Sequence, residues 1–375
     1  MPFLLVGCLQ EIAQPRDLIK VNMASNSPVS GNWITGNMPA VAITAPKTTE
    51  IISVPIALPK DHNILIEVDT VGICGTDVHL YEGTSHYVQT GLTKFPIRFG
   101  HEWSGLVLAC SSTAFEYLVG KRVTGEPFIS CGQCLTCRAG HYNLCPTRFE
   151  LGVRGDYPGA AAKYLSIPAT NVHVIPDNVE LKEALLSEPA VTAMNAVEKS
   201  GLQTGESAAV IGSGTLGLIV LQIAQSIGAN VSVIGVDEDT LNTAKKLGAA
   251  HVYHPDQAPS NTFDVVYEAS GASQIGPLLT RIAANCARIM QIGIPSGPVN
   301  NISFGDFVTK GLSLEGILGG VHLMPRTLEL ISKGVIKPKE MVHAILPISQ
   351  ISEAFELVSA TGRGKPKILL DMKTL

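Results

Sequence analysis

Ala208-Ala209-Val210-Ile211-Gly212-Ser213-Gly214-Thr215-Leu216-Gly217 is a short apolar run that breaks into three glycines spaced G-x-G-x-x-G, and helical text over 218–227 follows at once. Each glycine has a separate task in that pattern. Gly212 permits a tight turn, Gly214 lets a pyrophosphate approach the backbone, and Gly217 lets the helix pack on the strand. The phosphates then meet the free N–H groups of the helix start at the positive end of its dipole, and Thr215 and Leu216 in the turn are further cofactor-binding candidates. Asp237 closes the next expected strand, where a carboxylate accepts both ribose hydroxyls and repels a 2′-phosphate. The expectation is therefore a dinucleotide site that prefers NAD, with NADP not excluded.

This motif lies in a stretch, 207–236, that carries no charged residue and is long enough to cross a bilayer. Its five glycines and interspersed Ser, Thr, Gln and Asn residues fit a strand, a turn, a buried helix and a second strand instead. Further strands are expected over 251–253, 265–269 and 288–292, with helical text between them. That alternation predicts an α/β doubly wound parallel sheet over 191–334, a Rossmann domain. Upstream, β-branched runs at 41–44, 51–54, 64–71, 104–109, 163–167 and 172–175 alternate with turns, as in a strand-rich domain. Residues 335–375, with a helix over 351–360 and a strand over 367–371, are expected to rejoin that domain. Residues 1–40 read as an extension with little fold of its own.

Composition narrows the class. The 375 residues hold 27 basic and 32 acidic side chains, a net −5, which argues against a protein that grips nucleic acid through a basic stripe. Hydrophobic residues are 45% and aromatics only 5%, so the core is built from aliphatic side chains. The N-terminus carries no recognisable targeting segment, and the cytoplasm is the expected location, with no membrane partner.

Four of the eight cysteines, Cys131, Cys134, Cys137 and Cys145, are clustered within one short lobe. Such spacing suits one tetrahedral ion with no open position, hence a structural zinc, rather than disulfides. Cys74, in Gly72-Ile73-Cys74-Gly75-Thr76-Asp77-Val78-His79, and His101 with Glu102, in Gly100-His101-Glu102-Trp103-Ser104-Gly105, form a second candidate set.

Together with Glu188-Pro189 and the glycine motif, these segments resemble the zinc-dependent medium-chain dehydrogenases of the polyol and threonine dehydrogenase type, from about Val41 to the C-terminus. The resemblance implies a GroES-like catalytic domain over 41–190 and 335–375, and two zinc ions per chain. Cys74, His101 and Glu102 would hold the catalytic zinc, and Glu188 would bind it directly or through water. Asp77 would orient His101. Thr76 and His79 would relay the proton, while Thr192 and Leu216 would pack behind the nicotinamide. The implied reaction moves a hydride between a secondary alcohol, polyol-like or a specialised metabolite, and NAD(P), giving a ketone. Alternatives are an NADPH-preferring carbonyl reductase and a non-catalytic cofactor-binding relative. A homodimer or homotetramer is implied, with 300–318 as a candidate interface.

The chain departs from the family pattern in three places. Val342-His343-Ala344 stands where an arginine is usual, and the loop after His79 differs. Between Asp237 and Gly248 the chain is about two residues short of the spacing this nucleotide fold usually has.

Overall fold

The computed structural model describes residues 30–375 apart from 32, 59, 61, 296, 361 and 363. Most of the expected extension, with Cys8, lies outside the described residues. Where the chain is described before residue 41 it is ordered, contrary to expectation. The strand Asn37–Ala45 begins inside the supposed extension, with Met38 and Ala40 buried. Ser30 and Gly31 pair antiparallel with Cys110 and Ala109, and Trp33 Nε1 donates to Ala57 O at 3.0 Å.

The charge-free stretch resolves into a strand, a turn, a helix and a strand. Ser207–Ile211 leads through the glycine turn into the helix Thr215–Ser226, and Asn230–Ile234 follows. Among the described residues no helix is long and apolar enough to cross a membrane. The helix starts at Thr215 rather than 218, because Gly214, extended at φ −77° and ψ −176°, already serves as its N-cap.

Six parallel strands form this sheet in the spatial order His251–Tyr253, Asn230–Ile234, Ser207–Ile211, Phe263–Glu268, Ala283–Gln291 and Ser313–Gly316. Numbered along the chain this is the doubly wound order 3-2-1-4-5-6, whose strand order reverses beside Ser207–Ile211. The central strands are buried on both faces, with Val210 paired to both Val233 and Tyr267. The fifth strand begins at Ala283, earlier than expected, since Ala, Asn and Cys carry little strand propensity of their own.

The other domain is an eight-stranded sheet, antiparallel in all but one pairing among its described strands. Its centre is Asn63–Ile73, flanked by Glu102–Cys110 and by the C-terminal strand Lys367–Asp371, which pairs Ile368 with Ile73. Val342–Pro347, a strand the sequence reading did not anticipate, runs parallel to Lys367–Asp371. Trp103, Phe99 and Phe355 are its largest fully buried aromatic rings. The helix Ser187–Ser200 joins the domains and packs on Thr215–Ser226.

Candidate active site and metal centres

The first strand pair builds the site directly. Cys74 follows Asn63–Ile73 and is the N-cap of the helix Gly75–Glu82. Asp77, fully buried, accepts the Cys74 N–H at 2.9 Å with Oδ2 and sets Oδ1 3.4 Å from His101 Nδ1. One carboxylate thus orients both a backbone turn and an imidazole. Glu102 opens the neighbouring strand opposite Gly72, where any Cβ would collide with the Glu102 carboxylate. The ligand atoms of Cys74, His101 and Glu102 all lie within 4.8 Å of one another. Burial alone would push the His101 imidazole down, yet Asp77 and Cys74 hold it well above its ordinary value. Negative charge is concentrated there, and a sulfur, nitrogen and oxygen donor set around it suits zinc with an open position.

Glu188 lies outside that tight set but lines the same cavity. Burial pushes its carboxyl up to about 7, with Glu102 and Asp77 adding to the shift and His101 and Lys367 opposing it. Lys367 was not anticipated. Its buried ammonium donates to Ile73 O at 3.1 Å and sits 2.7 and 2.5 Å from the two Glu102 oxygens.

The four-cysteine lobe fits a second ion. Cys131 and Cys145 sulfurs are 3.5 Å apart, while Cys131–Cys137 and Cys134–Cys145 are 3.9 Å apart. A tetrahedron with zinc–sulfur bonds of about 2.3 Å has sulfur edges of about 3.8 Å. The N–H groups of Cys134 and Cys137 donate to Cys131 and Cys134 sulfurs at 3.4 Å, and such backbone hydrogen bonds lower the Cys131 thiol.

A cavity of about 410 Å³ joins the Cys74–His101–Glu102 set to the glycine turn, and Gly214, Thr215, Leu216 and Thr192 line it. Gly212 and Gly217 act behind the wall. Gly212 has φ +105° and its Cβ would lie 2.9 Å from Ser270 N, while a Cβ on Gly217 would strike Gly212 O. Thr76 and His79 both line the cavity from one face of the Gly75–Glu82 helix, with His79 Nδ1 3.2 Å from Thr84 Oγ1. Tyr87 and Glu150 form part of the wall, a pairing no local sequence signal marked. Tyr87 donates to Glu150 Oε1 at 3.2 Å, and Arg148 Nε donates to the same oxygen at 2.8 Å.

Asp237 differs from expectation. The strand stops at Ile234, so Asp237 caps the helix Glu238–Lys246 instead of closing the strand. Its Oδ1 accepts the Thr240 N–H at 2.8 Å and its Oδ2 the Gly362 N–H at 2.6 Å. Gly235 occupies the strand end, where its Cβ would lie 2.6 Å from Ser213 Oγ.

Comparison with known proteins agrees with this geometry. The Alcohol dehydrogenase GroES-like domain pattern matches residues 60–177, and the Zinc-binding dehydrogenase pattern matches 215–333. An uncharacterized zinc-type alcohol dehydrogenase-like protein of Escherichia coli is 31% identical over 84% of this chain and 93% of its own. The 2-dehydro-3-deoxy-L-galactonate 5-dehydrogenase of Pseudoalteromonas atlantica is 30% identical over 85% of this chain and 94% of its own. A solved Escherichia coli alcohol dehydrogenase, complexed with NADH, superimposes with TM-score 0.81 at 27% identity, over 89% of this chain and 99% of its own. With that coverage and these sites, the chain belongs to the zinc-dependent medium-chain dehydrogenase/reductase family and is an NAD(P)-dependent oxidoreductase that interconverts alcohols and ketones.

Proposed function

We propose that the chain oxidises a secondary alcohol on a polyol-like or specialised metabolite, or reduces the matching ketone, with NAD as its dinucleotide and two zinc ions per chain. The observation that carries this reading is one cavity lined both by Cys74, His101 and Glu102 and by Gly214, Thr215 and Leu216. A zinc ion held by Cys74, His101 and Glu102 supplies Lewis acidity toward an alcohol oxygen. The protein does the positioning. Asp77 fixes the ring and tautomer of His101, and Lys367 holds Glu102 in place. Thr76 accepts the hydroxyl proton and His79, one helical turn on, carries it toward solvent. Thr192 and Leu216 set the face of the nicotinamide ring by contact.

Polar side chains set into an otherwise largely apolar wall support a substrate with hydroxyls. A second cavity of about 460 Å³ shares Thr76, His79 and Tyr87 with the first and adds Thr84, Ser85, His86 and Gln89. Three acidic residues at the start of one helix, Asp237, Glu238 and Asp239, disfavour a 2′-phosphate and support NAD. A second reading, an NADPH-preferring carbonyl reductase, is favoured by the commitment of Asp237 to Thr240 and Gly362. The exposed edge strand Ser313–Gly316 supports a homodimer. Cysteines poised for metal support a reducing compartment such as the cytosol.

The test is a panel of polyols, sugar acids and simple secondary alcohols with both dinucleotides, run beside Cys74→Ala. Turnover with a responsive alcohol, close to two zinc ions in the wild type, and loss of turnover with one zinc ion in the variant are expected. Full activity of Cys74→Ala would sink the mechanism.

A further inference from the structure

Residues 317–322, Ile-Leu-Gly-Gly-Val-His, leave the C-terminal end of the edge strand Ser313–Gly316 and cross the cavity. Ile317, Leu318 and Gly319 line it together with Thr192, Leu216 and the Cys74–His101–Glu102 set, so they form the wall at the reacting end of the dinucleotide. Nothing in the loop's own sequence holds it in one shape. It contains two adjacent glycines, and Gly319 (φ +53°) and His322 (φ +59°) both adopt left-handed backbone. Its conformation must come from what touches it.

Much of that contact comes from the four-cysteine lobe and its supports. Asn143, buried in the turn Tyr142–Leu144 just before Cys145, donates Nδ2 to Leu318 O at 2.6 Å. Tyr142 accepts the His322 N–H at 3.1 Å on its hydroxyl, donates that hydroxyl to Glu126 Oε2 at 2.6 Å, and meets the His322 ring edge-on at 5.3 Å. Glu126 is itself braced by His173 Nε2 at 3.2 Å. From the opposite side Asn195, on the helix that carries Glu188 and Thr192, donates to Gly319 O at 2.6 Å. The Phe128 ring lies where a Gly319 Cβ would be, so no side chain fits there.

We propose that Tyr142 and Asn143 are positioning residues of the cofactor site. The metal-binding lobe clamps residues 317–322 in the shape that receives the nicotinamide end of the dinucleotide, so the order of the lobe sets cofactor affinity. The inference rests on the dinucleotide reading above. It assigns the lobe a role in binding beyond holding itself together. Burial and Glu126 push the Tyr142 hydroxyl up, which keeps the proton on the tyrosine, donated toward Glu126, and leaves its lone pairs for the His322 N–H.

Two ligands separate the clamp from general stability. NADH needs the clamped wall, whereas ADP-ribose fills the phosphate turn and lacks the nicotinamide. Dissociation constants for both are measured by titration on zinc-loaded wild type, Asn143→Ala and Tyr142→Phe, with zinc counted per chain. The phenylalanine variant keeps the ring and removes only the hydroxyl, so it stands should the alanine variant fail to fold. Each variant is expected to weaken NADH by about 3- to 10-fold, the effect of one hydrogen bond lost to the loop. ADP-ribose affinity and zinc content are expected to stay at wild-type values. Unchanged NADH affinity in Tyr142→Phe, or an equal loss for both ligands, overturns the clamp. A wild-type chain that binds neither ligand overturns the dinucleotide reading itself, and the clamp with it.

Discussion

The Lys367 ammonium lies 2.7 Å from Glu102 Oε1, and both side chains are buried in the wall of the cavity. Burial alone would push the ammonium down, but Glu102, Cys74 and Asp77 outweigh it and raise it. The pair ties the strand Lys367–Asp371 to Glu102, the proposed metal ligand, far earlier in the chain. Lys367→Met removes one partner of a buried pair, a change that typically costs about 3–5 kcal/mol. The expected result is a clearly lower unfolding midpoint in denaturant and a catalytic zinc that dissociates faster. Wild-type stability in that variant would show that Glu102 does not depend on the lysine.

Asp237 makes a tie of a different kind, from the nucleotide domain to the loop before Lys367–Asp371. Desolvation works to raise its carboxyl, yet the N–H groups of Gly362 and Thr240 hold it below the usual range. A depressed folded value means the tie stabilises the protein above the unfolded value, about pH 3.9, and is lost as pH falls through the folded one. Asp237→Ala removes the helix cap as well, costing about 1 kcal/mol. Hydrogen exchange at the Gly362 amide is expected to quicken in the variant, and its NADPH-to-NADH preference is expected to rise. Unchanged preference would place cofactor discrimination elsewhere.

Sequence signals are clearest where the geometry is local. The glycine turn needs its three glycines within a few residues, and the cysteine lobe closes on itself, so both are visible in a short window. The strand Lys367–Asp371 also falls where it is expected from the sequence. Lys367 itself escaped notice because its partners, Ile73 and Glu102, are hundreds of residues away. Val342–Pro347 escaped because it is half-exposed and carries His343 and Pro347, which mask its pattern. Asp237 was misplaced because Gly235 and Val236 read as strand, whereas the ladder ends at Ile234 and leaves Val236 74% exposed.

Thr76 and His79 stand three residues apart on the Gly75–Glu82 helix, so they share a face, and both reach the cavity. A proton route through them predicts a split between variants. Thr76→Ser keeps the hydroxyl and is expected to retain most turnover, while Thr76→Val is expected to lose about 100-fold or more in kcat. His79→Gln, farther out, is expected to change the pH profile of kcat more than its maximum. The comparison is made at equal zinc content, and a Thr76→Val enzyme with wild-type kcat would remove threonine from the route.

The edge strand Ser313–Gly316 has one sheet neighbour, Ala283–Gln291, among the described residues, which leaves a row of backbone donors and acceptors on its other side. Such an edge invites pairing unless it is blunted by charge or covered. Here the strand's one charge, Glu315, is paired with Lys199, while Leu314 is 47% exposed and Phe304 and Val308 on the preceding helix Phe304–Lys310 are 72% and 83% exposed. A second copy related by a two-fold axis would meet the same surface with the same surface, extending one six-stranded sheet into the other. Light scattering at micromolar concentration is therefore expected to give twice the 39.6 kDa of one chain. Leu314→Lys places a charge on that edge and is expected to yield a folded single chain with its zinc retained. A wild-type protein that scatters as one chain would leave this edge without a partner and remove the dimer.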